Sequence, residues 1–127
     1  MSLGDQTLAL QTILETKPGA VAEPVPVPRG RPTPAQMYKV MGKVFAILSI
    51  RGGQSVILKS DPHLAEVLRE LYAGVGHRSH LGRNWISVDL DADVPPEEIE
   101  RFVDQSYNLV CAGLTRKQKA ELAALSS

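Results

Sequence analysis

The stretch "GHRSHLGRNWISVDLD", residues 76–91, gathers the side chains with the widest chemical range: His77 and His80, Arg78 and Arg83, Asn84, Trp85, then Asp89 and Asp91. Imidazoles and carboxylates ligate metals, and guanidinium groups and amides hold phosphate. An indole offers a face on which a base can stack. Each chemistry makes its own demand on spacing.

The metal reading fails that demand. Zinc wants four converging ligands, and His77 and His80, three residues apart, have no cysteine pair or HExxH arrangement to complete a set. His63 stands at the start of a helical run and reads as a surface residue. Counting Asp89 as position one puts Asp91, Asp93, Glu97 and Glu100 at positions three, five, nine and twelve of a calcium loop. Position six, where the sharp turn requires glycine, is Val94, and Pro95 and Pro96 follow. A strand, not a helix, enters the run. It reads as an acidic turn before a helix, and neither metal nor cofactor is expected.

Catalysis fares no better. Ser49, Ser55, Ser79 and Ser106 lie in no GxSxG elbow, and Cys111 borders an apolar helical stripe where an inert thiol is expected. "RGGQS" is a turn and lacks the GxxxxGK[ST] and GxGxxG patterns that cradle phosphates. No acid, base and nucleophile come together, so no enzyme is expected.

Nucleic acid is the chemistry that survives. "HRSHLGRNW" offers cations, an amide and an aromatic within nine residues. No acid occurs from Pro24 to Ser60, where Arg29, Arg31, Lys39, Lys43, Arg51 and Lys59 are all basic. From Asp89 to Asp104 there are seven acids against Arg101 alone, so a basic face is possible at zero net charge. The competing reading makes Trp85 an anchor satisfied locally and the cations the solvating shell of a loop.

"DQTLALQTILET" (5–16) sets Leu10, Ile13 and Leu14 at helical spacing, and "KPG" stops it. "EPVPVPRGRPTP" holds five prolines between Pro24 and Pro34, which suits an extended connection or edge strand. Its functional alternative is a polyproline ligand for an SH3-type partner. "MYKV" (37–40), "KVFAILSI" (43–50) and "SVILK" (55–59) are rich in strand formers, and Gly52-Gly53 signals a hairpin. "SDPHLAEVLRELYAG" predicts a helix capped by Ser60 or Asp61, with Leu64, Leu68 and Leu71 on one face and Gly74 as its stop. In "RNWISVDL", Ile86, Val88 and Leu90 point one way while Trp85, Ser87 and Asp89 point the other.

"PPEEIERFVDQSYNLVCAG" predicts a helix whose inner face carries Ile99, Phe102, Val103, Ser106, Leu109 and Val110. "TRKQKAELAAL" adds a Thr115/Gln118 capping box and a last short helix. The order is α+β: helices covering one face of an antiparallel sheet. With 127 residues the chain is one domain's worth. No apolar run approaches the roughly 18 residues a membrane span needs. A single cysteine fits a reducing compartment, so the expected location is cytoplasmic.

The chain also resembles the MmcQ/YjbR family of small bacterial proteins. The likeness is carried by "KPGA" (17–20), "GKVFAIL" (42–48), "LKSDPHLAEVLRELY" (58–72) and "HLGRNWISVDLDADVPPEEIERFVDQSYNLVCAGLTRKQK" (80–119). Its strongest markers are His80-Leu81, Trp85 four residues after Leu81, and Ser106-Tyr107 followed by Leu109-Val110. The resemblance implies a two-layer antiparallel sheet backed by helices and a DNA-binding label, through fold likeness to the double-wing module of a phage transcription factor. It carries over Lys43, Lys59, His80, Asn84, Trp85, Ser106 and Tyr107, with no catalytic role. The chain departs from the family at 21–34, where prolines replace an aromatic-containing strand.

The expected function is non-enzymatic DNA binding through a basic sheet-and-loop face of Lys43, Lys59, Arg78, His80, Arg83, Asn84 and Trp85. The alternative is a protein-interaction module with a protein partner. A monomer is expected, with no membrane association.

Overall fold

The computed structural model describes residues 5–24, 35–49, 55–77, 84–90 and 92–126. Helix α1 (Asp5–Thr16) stops at Pro18-Gly19 and turns back into strand β1 (Ala20–Pro24). Gly19 makes that turn at φ 73°, a conformation open chiefly to glycine. A Cβ there would lie 2.7 Å from Leu122 Cδ1, so that side chain would have to shift.

Strands β2 (Ala35–Val40), β3 (Lys43–Ser49) and β4 (Ser55–Lys59) form an antiparallel meander. Met41 (φ 49°) and Gly42 (φ 82°) connect β2 to β3 with the two positive φ values that a tight type I′ turn needs. Sequence reasoning placed its hairpin signal at Gly52-Gly53. The flanking strands do pair, Ser49 with Ser55, but that turn lies outside the described residues. After β4 come α2 (Pro62–Leu71), β5 (Val75–His77), β6 (Trp85–Asp89), α3 (Pro96–Ala112) and α4 (Arg116–Ser126). Strand β6 inserts between β4 and β5, so the sheet runs β1-β2-β3-β4-β6-β5, antiparallel throughout. The fold is α+β, as the sequence indicated.

Alternation assigns the two faces. Tyr38, Val40, Ala46, Leu48, Val56, Leu58, Ile86 and Val88 are buried on one side, in a single cluster with residues of α1, α2 and α3. Leu122 of α4 packs against the same cluster. The other face shows Met37, Lys39, Val44, Ile47, Ile57, Lys59, Trp85 and Ser87, and none of these belongs to the cluster. Ile57 is buried on this face, 8% exposed. No described helix covers this second face.

One irregularity changes what each face displays. Tyr38 pairs with Ala46 but Lys39 with Val44, leaving Phe45 as the extra residue of a β-bulge. An extra residue resets the period-two alternation. Phe45 and Ala46 therefore both turn toward the helices, and Lys43, paired with buried Val40, falls on the helical side.

The helix ends follow their chemistry. Asp61 caps α2, accepting from the His63 and Leu64 amides at 2.9 and 3.3 Å. Thr115 and Gln118 form the expected capping box at 3.0 and 3.1 Å. Two expectations differ from the structure. Leu71 is 64% and Leu109 39% exposed, while Tyr107 takes the buried place on α3. Gly76 and His77, read as loop, pair with Ser87 and Ile86 as strand β5. The first strand, Ala20–Pro24, lies at the sheet edge and reaches the proline run, whose residues 25–34 lie outside the described part. No helix among the described residues is long and apolar enough to cross a membrane.

Candidate nucleic-acid interface

The family-motif pair on α3 is structural. Ser106 is fully buried, and its Oγ sits beside the bulge, where the β3–β4 ladder ends at Ala46 and Leu58. It accepts from the Lys59 amide at 2.8 Å and donates to the Phe45 carbonyl at 2.5 Å. One hydroxyl thus satisfies a donor and an acceptor that the bulge would leave orphaned in the core. The next residue, Tyr107, stacks edge-on against Phe45 with centroids 5.3 Å apart, and its hydroxyl donates to the Pro18 carbonyl. The Ser-Tyr pair fastens α3 to the bulge and to the α1–β1 turn.

Burial, helped by the neighbouring Cys111 thiol, pushes the Tyr107 hydroxyl from its ordinary 10.0 up to about 12. The unfolded chain then ionises this tyrosine first as pH rises. Its contribution to stability is complete below pH 10 and is lost between 10 and about 12. Tyr107→Phe is expected to flatten the fall of urea-unfolding stability across that window. Some slope will persist, because burial also raises Tyr38.

The candidate binding residues do not share one face. Lys59 and Trp85 are Cα partners across β4 and β6 on the helix-free face, both half-buried. No described carboxylate lies within ion-pair distance of Lys59. Asn84, just before Trp85, is exposed and accepts from the Ser60 amide at 2.6 Å through its backbone carbonyl, tying the start of β6 to the end of β4. Lys43 is elsewhere: the bulge puts it on the helical side, where Nζ donates to the Gly113 carbonyl at 3.1 Å and caps the C-terminus of α3. Lys39 shares the helix-free face, but Glu23 neutralises it at 2.9 Å. The acid-free stretch therefore does not build one basic surface. Arg78, His80 and Arg83 lie outside the described residues, in the connection between β5 and β6.

The acidic turn also has a structural task. Asp93 accepts from the Gly74 and Ala73 amides at 2.8 and 2.9 Å, joining the end of α2 to the start of α3. Those amides hold its carboxyl below the usual range. Gly74 is needed for this approach, since a Cβ there would come within 2.6 Å of the Ala92 Cβ. Val94, at the supposed glycine position of a calcium loop, is buried. No group of three metal-binding side chains converges among the described residues.

Sequence reasoning passed over a second set of cations. Arg116, Lys117 and Lys119 at the start of α4 follow Gly113, to which Lys43 is bonded, and no described carboxylate pairs with them. The available signal was the absence of any acid from Gln105 to Ala120.

A six-stranded antiparallel sheet with all its helices on one side and a lysine–tryptophan pair on the other describes a small α+β domain. The chain belongs to the YjbR family, whose model matches residues 15–109. It is 32% identical over 93 residues to the uncharacterized protein YjbR of Escherichia coli K12, an alignment covering 72% of this chain and 79% of that protein. The O157:H7 protein matches equally. Among solved structures, Deinococcus radiodurans protein DR2400, with a DUF419 domain, superposes with a TM-score of 0.75 at 26% identity, over 90% of this chain and 85% of that one. A Pseudomonas syringae protein shares the fold at a TM-score of 0.65 and 17% identity, over 80% of this chain and 96% of its own.

Proposed function

We propose that this YjbR-family chain binds DNA without catalysing a reaction, through the helix-free face at the β4–β6 end of the sheet. The observation that carries the reading is the cross-strand pair of Lys59 and Trp85. It combines a cation free of any described carboxylate with an aromatic platform, where the connection bearing Arg78, His80 and Arg83 enters β6. Lys59 and the two arginines contact phosphate, His80 and Asn84 add polar contacts, and Trp85 supplies the stacking face. Lys43, committed to the end of α3, is not part of this surface.

Three phosphate contacts imply weak binding with a modest salt slope, about −2 for a single strand and about −3 for duplex in log–log form. Fluorescence anisotropy of labelled oligonucleotides against salt tests this. Lys59→Gln is expected to reduce the slope by about 0.7 on single strands. Trp85→Ala is expected to weaken single strands more than duplex. Absent binding at low salt, or binding indifferent to salt, would reject the proposal.

A protein partner is the second reading. It is favoured by the apolar side chains Met37, Val44 and Ile47 on the same face and by Val21, 55% exposed on β1. It requires no salt-dependent oligonucleotide binding, so the same titration separates the two.

A further inference from the structure

On the helical side, away from the helix-free sheet face, α3, α4 and the α1–β1 turn line an open, shallow groove of about 460 Å³. Its walls are mainly apolar, from Pro18, Ala112, Leu122 and Ala123, and its polar lining residues include Asn108 and Lys119. Three observations fix the sign of the charge it can take. No acid lines the groove. Arg116, Lys117 and Lys119 stand on the first turn of α4 with no described carboxylate in ion-pair range. The negative end of α3 is capped by Lys43 through the Gly113 carbonyl, and Asp104, a turn before Asn108, is held by Lys17.

We propose that this groove binds a small organic anion with an apolar body and a carboxylate, phosphate or sulfonate head. The body lies against Leu122 and Ala123, and the head meets Lys119 at the rim. Tyr107 shapes the floor but offers no proton, because its hydroxyl already donates to Pro18. Cys111, the chain's single cysteine, lies in the groove half-buried and serves as a built-in reporter. The proposal does not depend on the nucleic-acid reading, which concerns the opposite side of the sheet.

The probe is 1-anilinonaphthalene-8-sulfonate, titrated by fluorescence into the full chain, with its protection of Cys111 against a thiol reagent measured in parallel. The expected result is saturable enhancement with slowed labelling of Cys111. Affinity is expected to fall about tenfold in Lys119→Glu, as for a lost charge-assisted hydrogen bond. It is expected to be lost in Ala123→Trp, which fills the groove, and unchanged in Lys59→Gln. Both α4 variants replace exposed residues, and a cooperative melt confirms that they fold. Enhancement that survives both variants, or leaves Cys111 labelling unprotected, would overturn the proposal, as would the absence of saturable binding.

Discussion

Phe45→Ala is expected to be among the most damaging single substitutions in this protein, costing about 4 kcal/mol of folding stability. Phe45 has no exposed surface. As the extra residue of the β3 bulge, it fills the space between sheet and α3 that the bulge opens, with the Tyr107 ring edge-on at 5.3 Å. Removing the ring forfeits its transfer energy, leaves a cavity the rigid strand cannot close, and breaks an aromatic pair worth about 1 kcal/mol beyond its area. Domains of this size have roughly 5–15 kcal/mol in total, so the variant should sit near its unfolding threshold at 37 °C. Urea denaturation measures the loss. Phe45→Leu, which keeps most of the volume, is expected to lose less than half as much. Equal losses would mean that the ring's shape and its pairing with Tyr107, and not the volume it fills, carry the whole effect.

Ser106→Ala is the second large effect, about 2–4 kcal/mol for the removal of one oxygen atom. The hydroxyl is the partner of both the Lys59 amide and the Phe45 carbonyl, and alanine leaves both polar groups buried beside it. Thermal melting is expected to drop by roughly 10 °C. Lys59→Gln is the control: it leaves the backbone amide in place and should stay within about 0.5 kcal/mol of wild type. Together the two variants separate stability from binding along one short path. Below its melting range, folded Ser106→Ala should bind oligonucleotides as wild type does. A Ser106→Ala protein that melts normally but fails to bind would place the serine in the interface instead.

Much of this architecture could be read from the residues alone, because the relevant signals are local. The alternation of Ile86, Val88 and Leu90 against Trp85, Ser87 and Asp89 determined how β6 lies. Asp61 and the Thr115/Gln118 pair marked the starts of α2 and α4 by supplying the hydrogen bonds that helix ends lack. What escaped depends on tertiary context. Met41-Gly42 does not look like a turn beside Gly52-Gly53, yet Met41 accepts a positive φ while packing against the core. Strand β5 is three residues long and exists only through its pairing with β6. The candidate site suffered most from the bulge. Counting parity along β3 puts Lys43 on the same side as Ile47, hence of Lys59, and one additional residue moves it to the helical face. Spacing in the sequence cannot reveal that insertion, because the orphaned groups it creates are satisfied by a serine some sixty residues later.

The proposed contact of nucleic acid with the helix-free face rests on Lys59 and Trp85. Heteronuclear NMR of the labelled chain, titrated with a short single-stranded oligonucleotide at low salt, tests it most directly. Amide shifts are expected to concentrate on Lys59, Asn84, Trp85 and Ser87, to extend into residues 78–83, and to fade as salt is raised. Shifts confined to α4 around Arg116–Lys119, or no shifts at any salt concentration, would contradict it.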